Sequence, residues 1–228
     1  MRSLFRNNIF RFGMTLFLTG LYSLLRNTEW SSVVKPLPII FWALVVMFSA
    51  KRPAAEWVVA NLFAAALGDV LLDLGPDWLL IATLPFLGST LLLALAFHLR
   101  GHALDVNLGR GEDLLLLLPI IALAVGFHLF MAPRLADAAT VGAALLLISS
   151  LLLWRALSLV ISRGNAVDPT PVRFIGFLGA CGIVTNYILY SINIGLHPVP
   201  RDLVIHVYFW GQAFAAWSFL KPAWKVRR

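Results

Sequence analysis

Two carboxylates, Asp69 and Asp73, interrupt the otherwise apolar stretch from Asn61 to Gly75. An ionisable side chain inside a hydrophobic segment of membrane length is expensive to keep, so by default it faces the bundle interior or a wet cavity and marks a functional site. The i, i+4 spacing puts both carboxylates on one helical face, one turn apart, and makes them one candidate site. Crowded into a low dielectric, two such groups suit general acid chemistry, one holding its proton while the other stays ionised and stabilises a developing cation. Asp69 in a helix bundle also suits a proton relay. Gly68 and Ala64 to Ala66 beside them are small and let neighbouring helices come close.

The rest of the chain supplies the helices that such a site needs. Hydrophobic residues make up 60% of the sequence and charged residues 13%, with a mean hydropathy of +0.86, which points to a polytopic all-α membrane protein rather than a soluble domain. The net charge of +7 is carried by basic residues standing singly or in pairs between apolar runs, the pattern of membrane loops, so no nucleic-acid partner is expected. The single cysteine, Cys181, lies in an apolar run and reads as a small packing residue with no intrachain disulfide. The basic start Met1 to Asn8 precedes an apolar stretch, but no small-x-small cleavage site follows around Tyr22 to Arg26, so this segment is read as an uncleaved first span.

About 20 apolar residues are needed to cross the hydrocarbon core, and the sequence divides into eight such spans: 9–26, 33–50, 55–75, 78–99, 113–131, 137–161, 172–195 and 203–220. The breakers fall between them, at Lys51-Arg52-Pro53, Gly75-Pro76, Gly101 to Gly111, Ala132-Pro133, Asp168 to Pro171 and His197 to Pro200. No connection is long enough for a separate soluble domain, so residues 1–228 are read as one transmembrane domain. Trp30, Trp57, Trp78 and Trp224 fall at span ends, where an aromatic belt is expected.

Charge orients the bundle. Fourteen Lys and Arg residues collect on one side: Arg2, Arg6, Arg11, Lys51, Arg52, Arg100, Arg110, Arg155, Arg163, Arg173, Lys221, Lys225, Arg227 and Arg228. Four, namely Arg26, Lys35, Arg134 and Arg201, collect on the other. The positive-inside rule then places both termini in the cytoplasm, the expected location being a bacterial inner membrane. In that topology the third span runs outward, with Asp69 about 9 Å below its outer end at 1.5 Å per residue and Asp73 nearer the interface. Lys35, at the outer start of the second span, is in reach of a carboxylate by snorkelling or pairing. The last two spans bring more polar groups to comparable depth: Thr185, Asn186, Tyr187, Tyr190 and Asn193, then His206, Tyr208 and Gln212, with Tyr208 and Gln212 again at i, i+4. A faint echo aligns Asp69 in Ala-Ala-Leu-Gly-Asp-Val-Leu-Leu with Asn186 in Gly-Ile-Val-Thr-Asn-Tyr-Ile-Leu, which would make a parallel four-plus-four repeat with the site between the halves.

Leu67-Gly-Asp-Val-Leu-Leu-Asp-Leu74, Lys35-Pro-Leu-Pro38 and Tyr208-Phe-Trp-Gly-Gln-Ala-Phe-Ala-Ala-Trp217 together resemble the YhhN family of lysoplasmalogenase-like membrane proteins. The three motifs lie on the second, third and eighth spans in the family's order. The resemblance implies a hydrolase that cleaves the vinyl-ether bond of a lysoplasmalogen to a fatty aldehyde and a glycerophospho-headgroup. Its Lys-Pro, Gly-Asp and Tyr-x-x-x-Gln positions fall on Lys35, Gly68, Asp69, Tyr208 and Gln212, with Asp73 at an acidic position. Two departures stand out: Thr185-Asn186 where the family usually has Ser-Asp, and His98-Leu-Arg-Gly where it usually has a His followed by an aromatic.

The chemistry so implied needs a protonated acid and negative charge to steady an oxocarbenium ion. Asp69 and Asp73 are the catalytic candidates, Asp69 as the deeper acid and Asp73 orienting water or stabilising the cation. Lys35, Asn186, Tyr190, Tyr208 and Gln212 are the substrate-binding candidates, Lys35 for a lipid phosphate and Asn186 for water or headgroup, since an amide is neither acid nor base. Structural readings stand beside these: Asp69 as an interhelical tie, Asp73 as a solvated helix end, Lys35 as an interfacial anchor, Tyr208 and Gln212 as interhelical glue. His98, His102, His128 and His197 sit at span ends or in loops, and His206 has no partner at ligand spacing, so no metal or other cofactor is expected. Gly-x-Ser-x-Gly is absent, which argues against a serine lipase. The expected partners are a lysophospholipid or related amphiphile and the membrane lipids. The competing classes are a diverged, non-catalytic lipid binder or mover and a proton-coupled small-solute transporter.

Overall fold

A computed structural model describes residues 7–50, 54–103, 110–135, 138–161 and 170–220, and all regular structure among them is helical. Helix α1 (Asn8–Leu25) starts at Asn7, whose side-chain oxygen accepts from the amides of Ile9 and Phe10. The short α2 (Ser31–Val34) and α3 (Leu37–Ser49) follow, parted at Lys35-Pro36, because proline has no N–H to continue the ladder. Helix α4 (Ala55–Asp73) stops at Leu74-Gly75, with Gly75 at φ +131, a conformation open to glycine. A single 3₁₀ turn, Pro76–Trp78, leads into α5 (Leu79–Ala103). Helices α6 (Arg110–Leu135), α7 (Ala139–Ile161), α8 (Thr170–Gly195) and α9 (Arg201–Ser218) complete the order.

Among the described residues, six segments are long and apolar enough to cross a membrane: Ser31–Ser49, Ala55–Asp73, Leu79–Gly101, Leu115–Leu135, Ala139–Ile161 and Thr170–Gly195. Their lipid-facing surfaces carry exposed Phe63, Leu84, Leu91, Leu118, Leu123, Leu129 and Leu147, residues that a water-soluble protein would bury as a group. The chain is an integral membrane protein. The other two long helices, α1 and α9, have 18 residues each and do not reach the same apolarity, since α1 holds Arg11 and paired threonines and α9 opens on Arg201-Asp202 and carries His206 and Gln212. Part of that polarity turns inward: Arg11, Thr15 and Gln212 are buried, and Thr15 accepts from the Trp42 indole at 2.9 Å to tie α1 to α3.

The α4 boundary is a correction. The expected span ran to Gly75, but the left-handed turn there ends the helix at Asp73, so Asp69 lies one turn, about 6 Å, from the helix end rather than 9 Å. Helix α5 also runs on to Ala103 and α6 begins at Arg110, which shortens the connection expected between Gly101 and Gly111. The connection residues Lys51 to Pro53 and the belt residue Trp224 lie outside the described residues.

Helices α8 and α9 make the closest pair, and the reason is local. A Cβ on Gly179 would lie 2.3 Å from the Ala215 amide nitrogen, and one on Gly211 would lie 2.8 Å from that of Ile183. Only glycine permits this approach, which is the small-residue packing favoured between membrane helices. Gly68 does the same for α4 and α5, where the Phe86 ring lies 2.8 Å from a notional Cβ. At one end of the bundle the C-termini of α4 and α8 therefore meet the N-termini of α2, α5 and α9. Arginines 11, 100 and 173 are buried elsewhere in the bundle.

Candidate functional site

The Lys35-Pro36 break holds a cation among the helices. Lys35 is 6% exposed, and its ammonium donates to Asp73 Oδ1 at 2.9 Å and to the Asp69 main-chain carbonyl at 3.3 Å, with Asp69 Oδ1 at 3.7 Å. Ser31, one turn before Lys35, donates to Asp73 Oδ2 at 3.0 Å. The Arg201 guanidinium approaches Asp73 Oδ1 at 3.6 Å from the start of α9. Both oxygens of Asp73 are thus engaged.

Asp69 is different. It is 3% exposed, and its Oδ2 is buried with no hydrogen-bond partner. Leaving a buried carboxylate oxygen unpaired is costly, which is why such atoms in a folded protein call for a ligand or water. The oxygen belongs to a residue lining a cavity of about 300 Å³. A second orphan, the hydroxyl of buried Tyr208, belongs to the same lining.

Two helical stripes complete the walls. On α8, Asn186, Tyr187, Tyr190 and Asn193 recur at helical spacing, and on α9, Arg201, Val204, Ile205 and Tyr208 do so. The glycine contacts described above bring the stripes together, and Asn186 Nδ2 donates to the Val204 carbonyl at 2.8 Å across the seam. The Tyr187 hydroxyl pairs with Thr90 on α5 at 2.8 Å, and Asn193 Oδ1 accepts from the Val199 amide at 3.0 Å. Leu72, Leu79, Phe86 and Leu145 give the cavity an apolar wall. The result is an amphipathic chamber, charged at the α4–α9 end and greasy towards α5 and α7.

Six of the seven candidate residues therefore meet: Asp69, Asp73, Lys35, Asn186, Tyr190 and Tyr208 all line one cavity. Gln212 does not. It lies one turn below Tyr208, and its Oε1 accepts from Asn61 Nδ2 at 3.1 Å, while Ser89 donates to Asn61 Oδ1 at 2.7 Å. Of the other polar residues expected there, Thr185 is exposed and His206 Nδ1 pairs with the carbonyl of Asp202 in its own helix. Sequence reasoning missed Ser31 and Arg201 as site residues. Arg201 counted only as a loop charge, although it begins the 201, 204, 205, 208 stripe that ends on Tyr208. Asp202 beside it pairs with Arg26 after α1, fastening the same end of the bundle. Among the described residues no three His, Cys, Asp or Glu side chains gather closely enough to hold a metal ion.

Buried acids, a buried lysine and an apolar wall thus surround one chamber near the end of a membrane protein's helical bundle. The model of the YhhN family matches residues 30–219, most of the chain and every helix that lines the cavity, and the protein belongs to that family. No curated protein and no solved structure matches the chain.

Proposed function

We propose that the protein is a lysoplasmalogenase-like hydrolase, cleaving the vinyl-ether bond of a lysophospholipid-like substrate. The observation that carries this reading is Asp69 Oδ2, a buried and unpartnered carboxyl oxygen on a residue of an amphipathic cavity. Protonated, Asp69 delivers its proton to the vinyl carbon remote from the ether oxygen, and the alkene π electrons form the new C–H bond. The resulting oxocarbenium ion faces the carboxylate just created, which stabilises it. Water adds to the cationic carbon and returns a proton to Asp69. The hemiacetal then collapses to a fatty aldehyde and the free hydroxyl of the glycerophospho-headgroup.

Asp73 has a different part. Both its oxygens are held, so it is a positioning residue: Lys35 sits 2.9 Å from Asp73 and 3.7 Å from Asp69, so the closer contact of the cation is with Asp73 rather than with the acid. Asn186 spends its amide on the Val204 carbonyl and joins the wall without acid–base chemistry. That bond supports a second reading, a diverged member that binds the lipid without cleaving it.

In the membrane this reading takes α1 and α9 as spans too, giving eight in one domain, with both termini cytoplasmic in a bacterial inner membrane and the cavity in the outer leaflet half. A four-plus-four repeat is supported by packing order: α3 on α4 and α4 on α5 correspond to α7 on α8 and α8 on α9, while α5 crosses to α7 and α9 to α3. The test is aldehyde release from lysoplasmalogen by the purified protein. Release by the wild type that is lost in Asp69→Asn is the expected result. Release that survives the substitution removes Asp69 as the acid. No release from the wild type favours the lipid binder, and solute uptake driven by a pH gradient favours a transporter.

A further inference from the structure

The cavity holds two cations with opposite circumstances. Lys35 is 6% exposed and its donors point at Asp73 and Asp69. Withdrawing it to meet a ligand would strand two buried carboxylates, at the large cost of breaking a buried pair. Arg201 lines the same cavity with its side chain 55% exposed, and among the described residues its one ion pair is the 3.6 Å approach to Asp73 Oδ1. An ion pair that open to solvent contributes little. Should Arg201 swing away, Asp73 keeps Lys35 and Ser31, so the exchange leaves no buried charge bare.

The surroundings of Arg201 favour an anion. It is the first residue of α9, where Pro200 supplies no side-chain cap and the first helical bond runs from the Val204 amide to the Pro200 carbonyl. The amides ahead of Val204 therefore have no helical partner, and the positive end of the helix faces outward. Asp202 in that first turn is neutralised by Arg26. Deeper in the same cavity, the buried Tyr208 hydroxyl and Asp69 Oδ2 lack partners, which marks the space as one that a ligand fills.

We propose that Arg201 is the specificity residue that reads the headgroup, exchanging Asp73 for the phosphate of an amphiphile whose apolar chain lies against Leu72, Leu79, Phe86 and Leu145. A guanidinium presents two parallel N–H donors that match a phosphate, which an ammonium does not. This inference rests on the proposed function for the identity of the ligand, and it assigns the phosphate to Arg201 in place of Lys35.

The experiment measures binding, not turnover. The full-length protein in nanodiscs is titrated with a saturated 1-O-alkyl-glycerophosphoethanolamine, with the neutral 1-O-alkylglycerol of the same chain, and with inorganic phosphate. Wild type is expected to bind the phospholipid about tenfold or more tightly than the neutral ether, the worth of a charge-assisted contact. Arg201→Gln should bring the two affinities together without weakening the neutral ether, and Arg201→Lys should keep part of the preference. A preference that survives Arg201→Gln, or that wild type lacks, overturns the proposal. Inorganic phosphate that binds as tightly as the phospholipid overturns the lipid headgroup as its source. Because the alkyl ether has no vinyl bond, a preserved headgroup preference alongside absent aldehyde release would sink the hydrolase and leave this inference standing.

Discussion

Helix α4 carries two polar sites about two turns apart, and they are resolved in opposite ways. At Asn61 both ends of the amide are used, donating to Gln212 and accepting from Ser89, and no atom of that trio is left buried without a partner. At Asp69 one oxygen is engaged near Lys35 and the other is orphaned, on a residue bordering the cavity. Both sites are buried, both join separate helices, and both break the apolar pattern of the same segment. Burial of a polar group therefore does not separate structure from function here. What separates them is whether the hydrogen-bonding capacity is exhausted within the protein.

The sharpest way to break this contrast is Asp69→Asn. If Asp69 is the acid, aldehyde release falls about 10²- to 10⁴-fold, the usual worth of a positioned general acid. The unfolding midpoint should move far less than in a variant that removes the cation, because Lys35 keeps its 2.9 Å partner Asp73 and the orphaned oxygen has no protein partner to lose. A comparable loss of stability would place Asp69 in the same class as Asn61. Lys35→Met should act the other way round. It leaves Asp73 and Asp69 buried without their cation, and stability should fall by about 3–5 kcal/mol in denaturant titration of the reconstituted protein. The double variant Lys35→Met with Asp73→Leu should regain much of that loss, since an apolar pair of similar volume can replace a buried ion pair.

For the inner site the expected change is smaller and purely structural. Gln212→Leu leaves the Asn61 amide buried without its acceptor, at a cost of about 1–3 kcal/mol. Aldehyde release per folded molecule should stay at the wild-type level. A drop in release without a drop in stability would return Gln212 to the substrate site, where sequence spacing had put it.

That reassignment shows what the sequence could and could not carry. Asp69, Asp73 and Lys35 were legible because a charge in an apolar run violates the rule that shapes the rest of the chain. Tyr208 and Gln212 were legible as one face of α9, but not as two depths on it. The floor of the cavity is set by how closely α8 and α9 cross, and that depends on Gly179, Gly182 and Gly211 meeting backbone atoms of the opposite helix. Such contacts have no signature beyond the presence of glycine. Arg201 was hidden for the opposite reason, since an arginine after Pro-Val-Pro reads as an ordinary loop charge. Only the fold shows that this loop ends beside Asp73. The end of α4 was misplaced by two residues because Gly75 is apolar enough to extend a span and yet adopts the turn that ends it.

The smallest and most discriminating test uses two tyrosines. Tyr187 and Tyr208 both line the cavity, both are buried, and they come from α8 and α9. The Tyr187 hydroxyl is paired with Thr90 at 2.8 Å, while that of Tyr208 makes no well-formed hydrogen bond and has only the Gln212 amide near it. Tyr187→Phe should cost about 0.5–1.5 kcal/mol of stability, the net worth of one hydrogen bond, and leave lipid affinity nearly unchanged. Tyr208→Phe should cost no stability, because the hydroxyl it removes is an unpaired buried group, but it should weaken binding of the alkyl-ether ligand and slow aldehyde release. If the two variants instead behave alike, the unpartnered hydroxyl is not reserved for a ligand, and the distinction drawn between the two ends of α4 loses its second support.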